Sequence, residues 1–280
     1  MGDYAKDVLV DMDWVAEHLE DDAIRIVEVD ENPALYGEAH IPGAIGFDWL
    51  QDLQDRVKRD ILGPEAFGAL FGSRGISNDH TVVLYGDRNN WFAAYTYWYL
   101  KYYGHKRVLL VNGPREKWIA EGRRTSAAIP SYAPEPFVAG AGDARIRAMR
   151  NEVFAALGGP TRLVDVRSFK EYTGELIVMT GYEREGAQRG GHIPGAVSVP
   201  WVQAVTTEGL FKSPGELAQI YGGKGVLTGD PVIAYCRIGE RSAHSWFVLH
   251  ELLGLEDVKN YDGSWTEWGN LVDVPIEKNV

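Results

Sequence analysis

The chain has 280 residues, 45% hydrophobic and 24% charged, which suffices for a full core and is long for one domain, so two domains of roughly 130–140 residues each are expected. A formal net charge of −12 argues against nucleic acid or an anionic membrane as the main partner. No run approaches the eighteen or so apolar residues of a membrane span, Met1-Gly2-Asp3-Tyr4-Ala5-Lys6-Asp7 is acidic and polar rather than signal-like, and one cysteine cannot form an internal disulfide, so a cytoplasmic protein is expected.

In chain order, Ile26-Val27-Glu28-Val29-Asp30 reads as a buried strand ending in charge. The block His40-Ile41-Pro42-Gly43-Ala44-Ile45 follows as a turn, and Gly63-Pro64-Glu65 opens a helix with proline at its first position. Thr81-Val82-Val83-Leu84-Tyr85 is a second buried strand. The aromatic run from Trp91 to Tyr99 suits core packing of a helix better than a ligand box. From Glu121 to Asp143 the chain carries three prolines, no helical period and the stretch Ala139-Gly140-Ala141-Gly142. Residues 126–143 are therefore read as a linker between an N-terminal domain, 1–125, and a C-terminal domain, 144–280.

The second half repeats the first. Thr81 to Asp87 matches Pro231 to Arg237 at an offset of 150, and the register holds through Gly104/Gly254, Val108/Val258, Gly113/Gly263 and Trp118/Trp268. His192-Ile193-Pro194-Gly195-Ala196-Val197 repeats the turn block at an offset of 152, and Leu163-Val164-Asp165-Val166-Arg167 repeats the first strand. Ser213-Pro214-Gly215-Glu216 has capping-box spacing at a helix start. Strands alternating with helical stretches predict an α/β fold: two tandem domains, each a parallel sheet flanked by helices on both faces. His40 and His192 recur in both halves and read as turn or cap residues; Asp165 and Asp262 read as structural. The seven histidines lack metal-ligand spacing, and no metal or cofactor is expected.

Cys236 is the only cysteine, and Gly86 occupies its place in the first half. It lies where the strand Pro231-Val232-Ile233-Ala234-Tyr235 meets the loop Cys236-Arg237-Ile238-Gly239-Glu240-Arg241-Ser242, ahead of a helical stretch from Ala243 to Leu253 that Gly254 terminates. In open parallel sheets ligands bind at the carboxyl ends of strands. A helix start and two arginines favour thiolate, and in such settings a thiol pKa near 8.5 can fall to roughly 3.5–7.5. Cys236 is therefore the candidate nucleophile.

The duplication, the His-Ile-Pro-Gly-Ala block in both halves, the loop from Cys236 to Ser242 and Tyr261-Asp262-Gly263-Ser264-Trp265 together resemble the tandem-domain rhodaneses, which are thiosulfate and 3-mercaptopyruvate sulfurtransferases. The resemblance covers nearly the whole chain. It implies a non-catalytic N-terminal domain and a catalytic C-terminal one. It further implies that the Cys236 thiolate takes the outer sulfur of thiosulfate, releases sulfite, and passes the sulfur from a persulfide to cyanide, a small thiol or a protein thiol. Backbone N–H groups from Arg237 through Ile238, Gly239, Glu240 and Arg241 to Ser242 would cradle the persulfide anion.

The loop also departs from the family pattern. Ile238 stands where the animal thiosulfate enzymes carry a lysine, Glu171 stands where a family arginine falls, and the loop is not the Cys-Gly-Ser-Gly form of the mercaptopyruvate enzymes. Donor contacts are therefore expected at Arg237 and Arg241, with Arg167, Arg184 or Arg189 as further candidates. Two loop cations point to thiosulfate as donor, with 3-mercaptopyruvate as the alternative. The same fold and a Cys-x5-Arg loop serve phosphatases related to the cell-cycle tyrosine phosphatases. Arg241 here closes a shorter Cys-x4-Arg loop, better suited to sulfur than to a phosphoryl group.

Overall fold

In the computed structural model, which describes residues 3–278, the inner strands are rich in β-branched residues and buried almost end to end, as strands covered on both faces must be, with Arg25, Glu28 and Asp30 the charged residues of the longest one. The first unit runs β1 (Leu9–Val10), α1 (Met12–Glu17), β2 (Ile24–Asp30), α2 (Ala34–Glu38), β3 (Ile45–Asp48), a small hairpin of β4 (Gln54–Asp55) and β5 (Asp60–Ile61), α3 (Pro64–Ser73), β6 (Thr81–Tyr85), α4 (Trp91–Tyr102), β7 (Val108–Val111) and α5 (Arg115–Ala120). Its main sheet is all parallel, in the order β1-β7-β6-β2-β3.

The second unit runs β8 (Arg147–Ala148), α6 (Arg150–Ala156), β9 (Arg162–Asp165), α7 (Phe169–Thr173), β10 (Val197–Ser198), α8 (Pro214–Gly222), β11 (Val232–Tyr235), α9 (Glu240–Trp246), β12 (Val258–Tyr261) and α10 (Ser264–Trp268). Its sheet is also parallel, in the order β10-β9-β11-β12-β8, the first sheet's order read from the other edge. Each domain is thus a helix-flanked parallel sheet with the same connectivity, as the internal repeat predicts.

Local sequence explains the shared parts. Ser213 and Glu216 close a reciprocal capping box at the start of α8, with Pro214 at its first position. The two His-Ile-Pro-Gly-Ala turns are tied to the central strands by one hydroxyl each. The Ile41 N–H donates to the Tyr85 hydroxyl at 2.8 Å, and the Ile193 N–H donates to the Tyr235 hydroxyl at 3.1 Å. His40 stacks on Tyr36 and His192 on Tyr172, so both histidines serve the turn. In α4 every residue from Trp91 to Leu100 is buried, which is core packing.

Residues 126–143 hold no helix or multi-residue strand and run across the first unit, where Phe137 packs on Phe67 and Phe71. Gly68 in α3 admits this path, since a Cβ there would lie 2.6 Å from the Phe137 carbonyl oxygen.

The helix after Cys236 differs from expectation. It opens at Glu240 rather than Ala243, because Gly239 takes a left-handed φ of 97° and turns the chain three residues sooner. Beyond Trp246 it widens into a π-helical turn, Phe247–Leu252. The active-site loop is therefore short, and Glu240 and Arg241 belong to the first turn of α9. β11 is the middle strand, with Tyr235 in register with Asp165 on one side and Tyr261 on the other.

Candidate active site

Cys236 follows the last residue of β11 and is fully buried. The end of β12 and the start of α10 hold its backbone. The Cys236 N–H donates to the Ser264 hydroxyl at 3.0 Å, and that hydroxyl donates to the Tyr261 carbonyl at 2.6 Å. Ser264 does this from a left-handed φ of 52°, a conformation that a non-glycine residue keeps only where its surroundings enforce it. The Cys236 and Arg237 carbonyls accept from the Trp265 and Thr266 N–H groups at 3.1 and 2.9 Å. Asn260 clamps the far side, donating to the Gly239 carbonyl at 3.0 Å and accepting from the Ser242 hydroxyl at 2.6 Å. Gly239 cannot be replaced freely: a Cβ there would lie 2.6 Å from the Asp262 Cα.

Two groups face the sulfur closely. The Gly239 N–H donates to Sγ at 3.1 Å, and Glu240 Oε2 lies 3.1 Å from Sγ. The same carboxylate oxygen accepts from the Ile238 N–H at 3.2 Å, while Oε1 pairs with Arg237 at 3.0 Å and lies 3.6 Å from Arg241 Nε. Burial pushes the Cys236 thiol up and the Glu240 charge adds to it, against the opposing influence of Arg241 and the Ser242 hydroxyl. This corrects the expectation of a resting thiolate: the arginines are present, but a carboxylate stands between them and the sulfur. The cysteine rests as a thiol hydrogen-bonded to Glu240.

The arginines are already engaged. Arg241 makes two 3.0 Å contacts with both oxygens of Glu171. Arg237 pairs with Glu240, reaches Glu185 at 3.0 Å, and lies 3.6 Å above the Tyr182 ring, with Met179 Sδ 3.9 Å from its Nη1. Two guanidiniums thus meet three carboxylates, Glu171, Glu185 and Glu240, and the loop holds no surplus positive charge for a dianion.

Arg167 departs from its expected donor-binding role. It grips Asp165 with Nε at 3.0 Å, donates to the Gly191 carbonyl at 2.7 Å and lies over the Trp265 ring, a 2% exposed structural tie. Arg189 likewise donates to the Trp268, Gly269, Leu271 and Val274 carbonyls and secures the chain after α10. The Arg184 side chain lies outside the described residues. Ile238 is 7% exposed and offers the loop only its backbone.

Sequence spacing gives no warning of Tyr182 and Glu185. The visible signal is a difference in length: ten positions separate Asp30 from His40, but twenty-five separate Arg167 from His192. That added segment carries Met179, Tyr182 and Glu185 to Arg237. Glu171 closes a capping box with Ser168 at the start of α7, and its partner Arg241 lies 70 positions away.

The equivalent place in the first unit is closed to a nucleophile. A Cβ on Gly86 would run into the Val29 carbonyl oxygen, and the Gly86 N–H is taken by Asn90 Oδ1 at 2.8 Å. Asn90 corresponds to Glu240 in the repeat, so the polar side chain at that position turns toward the strand end in both domains.

The model of the rhodanese-like domain matches residues 11–121 and 150–271. The chain is 53% identical to the sulfur carrier protein TtuD of Thermus thermophilus, covering 99% of both. It is also 53% identical to a Haloferax volcanii protein provisionally named a thiosulfate sulfurtransferase, covering 99% of this chain and 98% of that one. Among solved structures, SseA from Escherichia coli, described as a 3-mercaptopyruvate sulfotransferase, superposes with a TM-score of 0.78 at 26% identity over 92% of this chain and 98% of that one. An anaerobic ergothioneine biosynthesis enzyme from Chlorobium limicola gives 0.84 at 25% identity over 97% of this chain and 70% of that one.

Proposed function

Because the chain belongs to the rhodanese family of sulfurtransferases, we propose that it moves sulfane sulfur from thiosulfate through a persulfide on Cys236 to cyanide or a thiol acceptor. The observation that carries this reading is the placement of the single thiol. Cys236 ends the central strand with the Gly239 N–H aimed at its sulfur and Arg237 and Arg241 beside it, while the duplicate position holds a glycine with no room for a side chain. Attack on the outer sulfur releases sulfite and leaves a terminal persulfide sulfur, which the Gly239 N–H and neighbouring backbone would steady. With no second cysteine to resolve it, the persulfide waits for an external acceptor. That behaviour agrees with the sulfur-carrier name of the Thermus relative. A lone cysteine that must stay reduced fits the cytoplasm.

Intact mass after thiosulfate treatment tests the reading: one added sulfur, removed by cyanide, is expected. Cys236→Ser should fold normally and take up none; retained thiosulfate:cyanide activity in that variant overturns the assignment.

One observation favours a second donor. With Arg237 and Arg241 each paired to carboxylates, the singly charged 3-mercaptopyruvate meets less repulsion than a dianion does. Comparing kcat/KM on the two donors decides between them. The same three carboxylates weigh against a phosphoryl dianion, and negligible release from p-nitrophenyl phosphate is expected.

A further inference from the structure

We propose that Glu240 is the proton partner of Cys236: it takes the thiol proton as the sulfur is loaded, holds it as a carboxylic acid against the persulfide, and returns it when the sulfur is delivered. The inference rests on the Cys236 persulfide reading and adds a catalytic group to it.

The geometry is direct. Glu240 Oε2 is the acceptor 3.1 Å from Sγ, both residues are buried, and no water need carry the proton between them. The groups facing this carboxylate are the Arg237 and Arg241 guanidiniums and the Ile238 N–H. Behind them lie Glu171 on α7 and Glu185 on the added segment. On the β12 side, Asp262 is tied to Arg147 at 2.9 Å.

Charge conservation then makes the argument. In the resting site a neutral thiol adjoins a carboxylate. Were Glu240 to stay ionised after loading, a persulfide anion would add a second negative charge in a buried site where carboxylates already outnumber guanidiniums. Burial opposes ionisation of Glu240, and while the sulfur is a neutral thiol Arg237 and Arg241 outweigh it and hold the carboxyl below its ordinary range. An anionic sulfur 3.1 Å away adds to burial against that charge, so the proton moves to Glu240. The step balances. The thiol proton passes to Glu240, and the thiolate electron pair attacks the outer sulfur of thiosulfate. The bond from that sulfur to the sulfonate breaks, sulfite leaves as a dianion with the bonding pair, and Glu240 as an acid donates to the terminal persulfide sulfur. On delivery an acceptor thiolate takes the terminal sulfur, and the restored Cys236 thiolate recovers its proton from Glu240. The site carries the same net charge before and after loading.

Glu240→Gln and Glu240→Asp test this through two readouts with opposite expected signs. With the adjacent negative charge removed, the pH midpoint of Cys236 alkylation by iodoacetamide should fall in the Gln variant. Persulfide formation from thiosulfate near neutral pH, followed by quenched-flow mass measurement, should nevertheless slow by about 100-fold, the usual scale for losing a positioned acid–base group, and the Asp variant should recover most of it. If Glu240 only ties the arginines together or merely repels thiolate, the Gln variant will load at or above the wild-type rate, and the proposal falls. An unmoved alkylation midpoint would also overturn it. Wild-type protein alone supplies an independent check if the Gln variant does not fold. Mixed with thiosulfate in weak buffer at mildly alkaline pH, it should load without releasing a proton, and release of one proton per persulfide would overturn the proposal. Should thiosulfate add no sulfur at all, the donor reading fails, while the alkylation profile still reports on the Cys236–Glu240 pair.

Discussion

Arg241 and Glu171 meet through two parallel 3.0 Å contacts, and this pair joins the first turn of α9 to the capping box of α7. Both side chains are buried. Burial opposes ionisation of Glu171, but the Arg241 charge, its hydrogen bonds and those of Ser168 outweigh it and hold the carboxyl at about 2. At the position where the resemblance to the tandem-domain rhodaneses implies an arginine, this chain carries a carboxylate that restrains the loop arginine.

Removing that carboxylate takes both 3.0 Å contacts from a buried guanidinium and leaves it facing Glu240 at 3.6 Å. Glu171→Ala is expected to lose about 3–5 kcal/mol in denaturant unfolding, the range for breaking a buried pair from one side. Since the folded pKa lies below the ordinary 4.5, the stabilisation from this group is fully present above that value and lost as pH falls toward 2. The variant should therefore show a shallower loss of stability on acidification than the parent.

Glu185 and Tyr182 draw on the charge of Arg237. Glu185→Gln leaves that guanidinium paired with Glu240 alone. The KM for thiosulfate should drop by ~10-fold, equivalent to about 1.4 kcal/mol, with kcat little changed, because the gain is in attraction of the dianion rather than in the bond-breaking step. The KM for 3-mercaptopyruvate should respond less. Steady-state kinetics on both donors measures the difference.

The first domain carries its own buried carboxylates, Glu28, Asp30 and Asp87, near a single Arg115 that pairs with Glu28 at 3.2 Å. Burial, reinforced by Glu28, lifts Asp30 to about 9, and burial likewise lifts Asp87 to about 7. Both pKa values are raised, so between the unfolded value of 3.8 and these values the folded chain holds protons that the unfolded chain has lost. Stability must then fall as pH rises from about 4, by about 1.4 kcal/mol per pH unit for each group still protonated in the fold. Asp30→Asn imitates the protonated acid, so calorimetric unfolding of that variant should be less sensitive to pH and more stable than the parent at pH 8.

Gly86→Cys should not create a second active site. The new Cβ collides with the Val29 carbonyl oxygen, and the neighbouring backbone would have to yield. In a Cys236→Ser background the doubly substituted chain is expected to gain no sulfur from thiosulfate by intact mass, and to unfold at lower denaturant than Cys236→Ser alone.

Much of this molecule is readable from its sequence because the relevant signals are local or repeated. Strands such as Thr81–Tyr85 and Val232–Tyr235 declare themselves by apolar, β-branched runs, helix starts by Ser213-Pro214 and Gly63-Pro64, and the tandem plan by a register that holds from Tyr85/Tyr235 to Trp118/Trp268. Steric and periodic rules act over a few residues, so they survive without coordinates. The same rules placed Cys236 at the carboxyl end of a strand, which the sheet order makes the middle one.

The charge state of that cysteine was beyond them. Proximity of Arg237 and Arg241 in sequence suggested a thiolate, yet what the sulfur meets is Glu240 at 3.1 Å, while the two cations are neutralised by Glu171 and Glu185 from segments 70 and 52 positions away. Electrostatic energy depends on distance through space and on burial, and neither follows from position along the chain. The fold, the duplication and the single sulfur are legible in the order of residues. That the sulfur rests protonated beside a carboxylate follows from the folded chain alone, because folding brings the buried Glu171 and Glu240 and the half-buried Glu185 around two arginines.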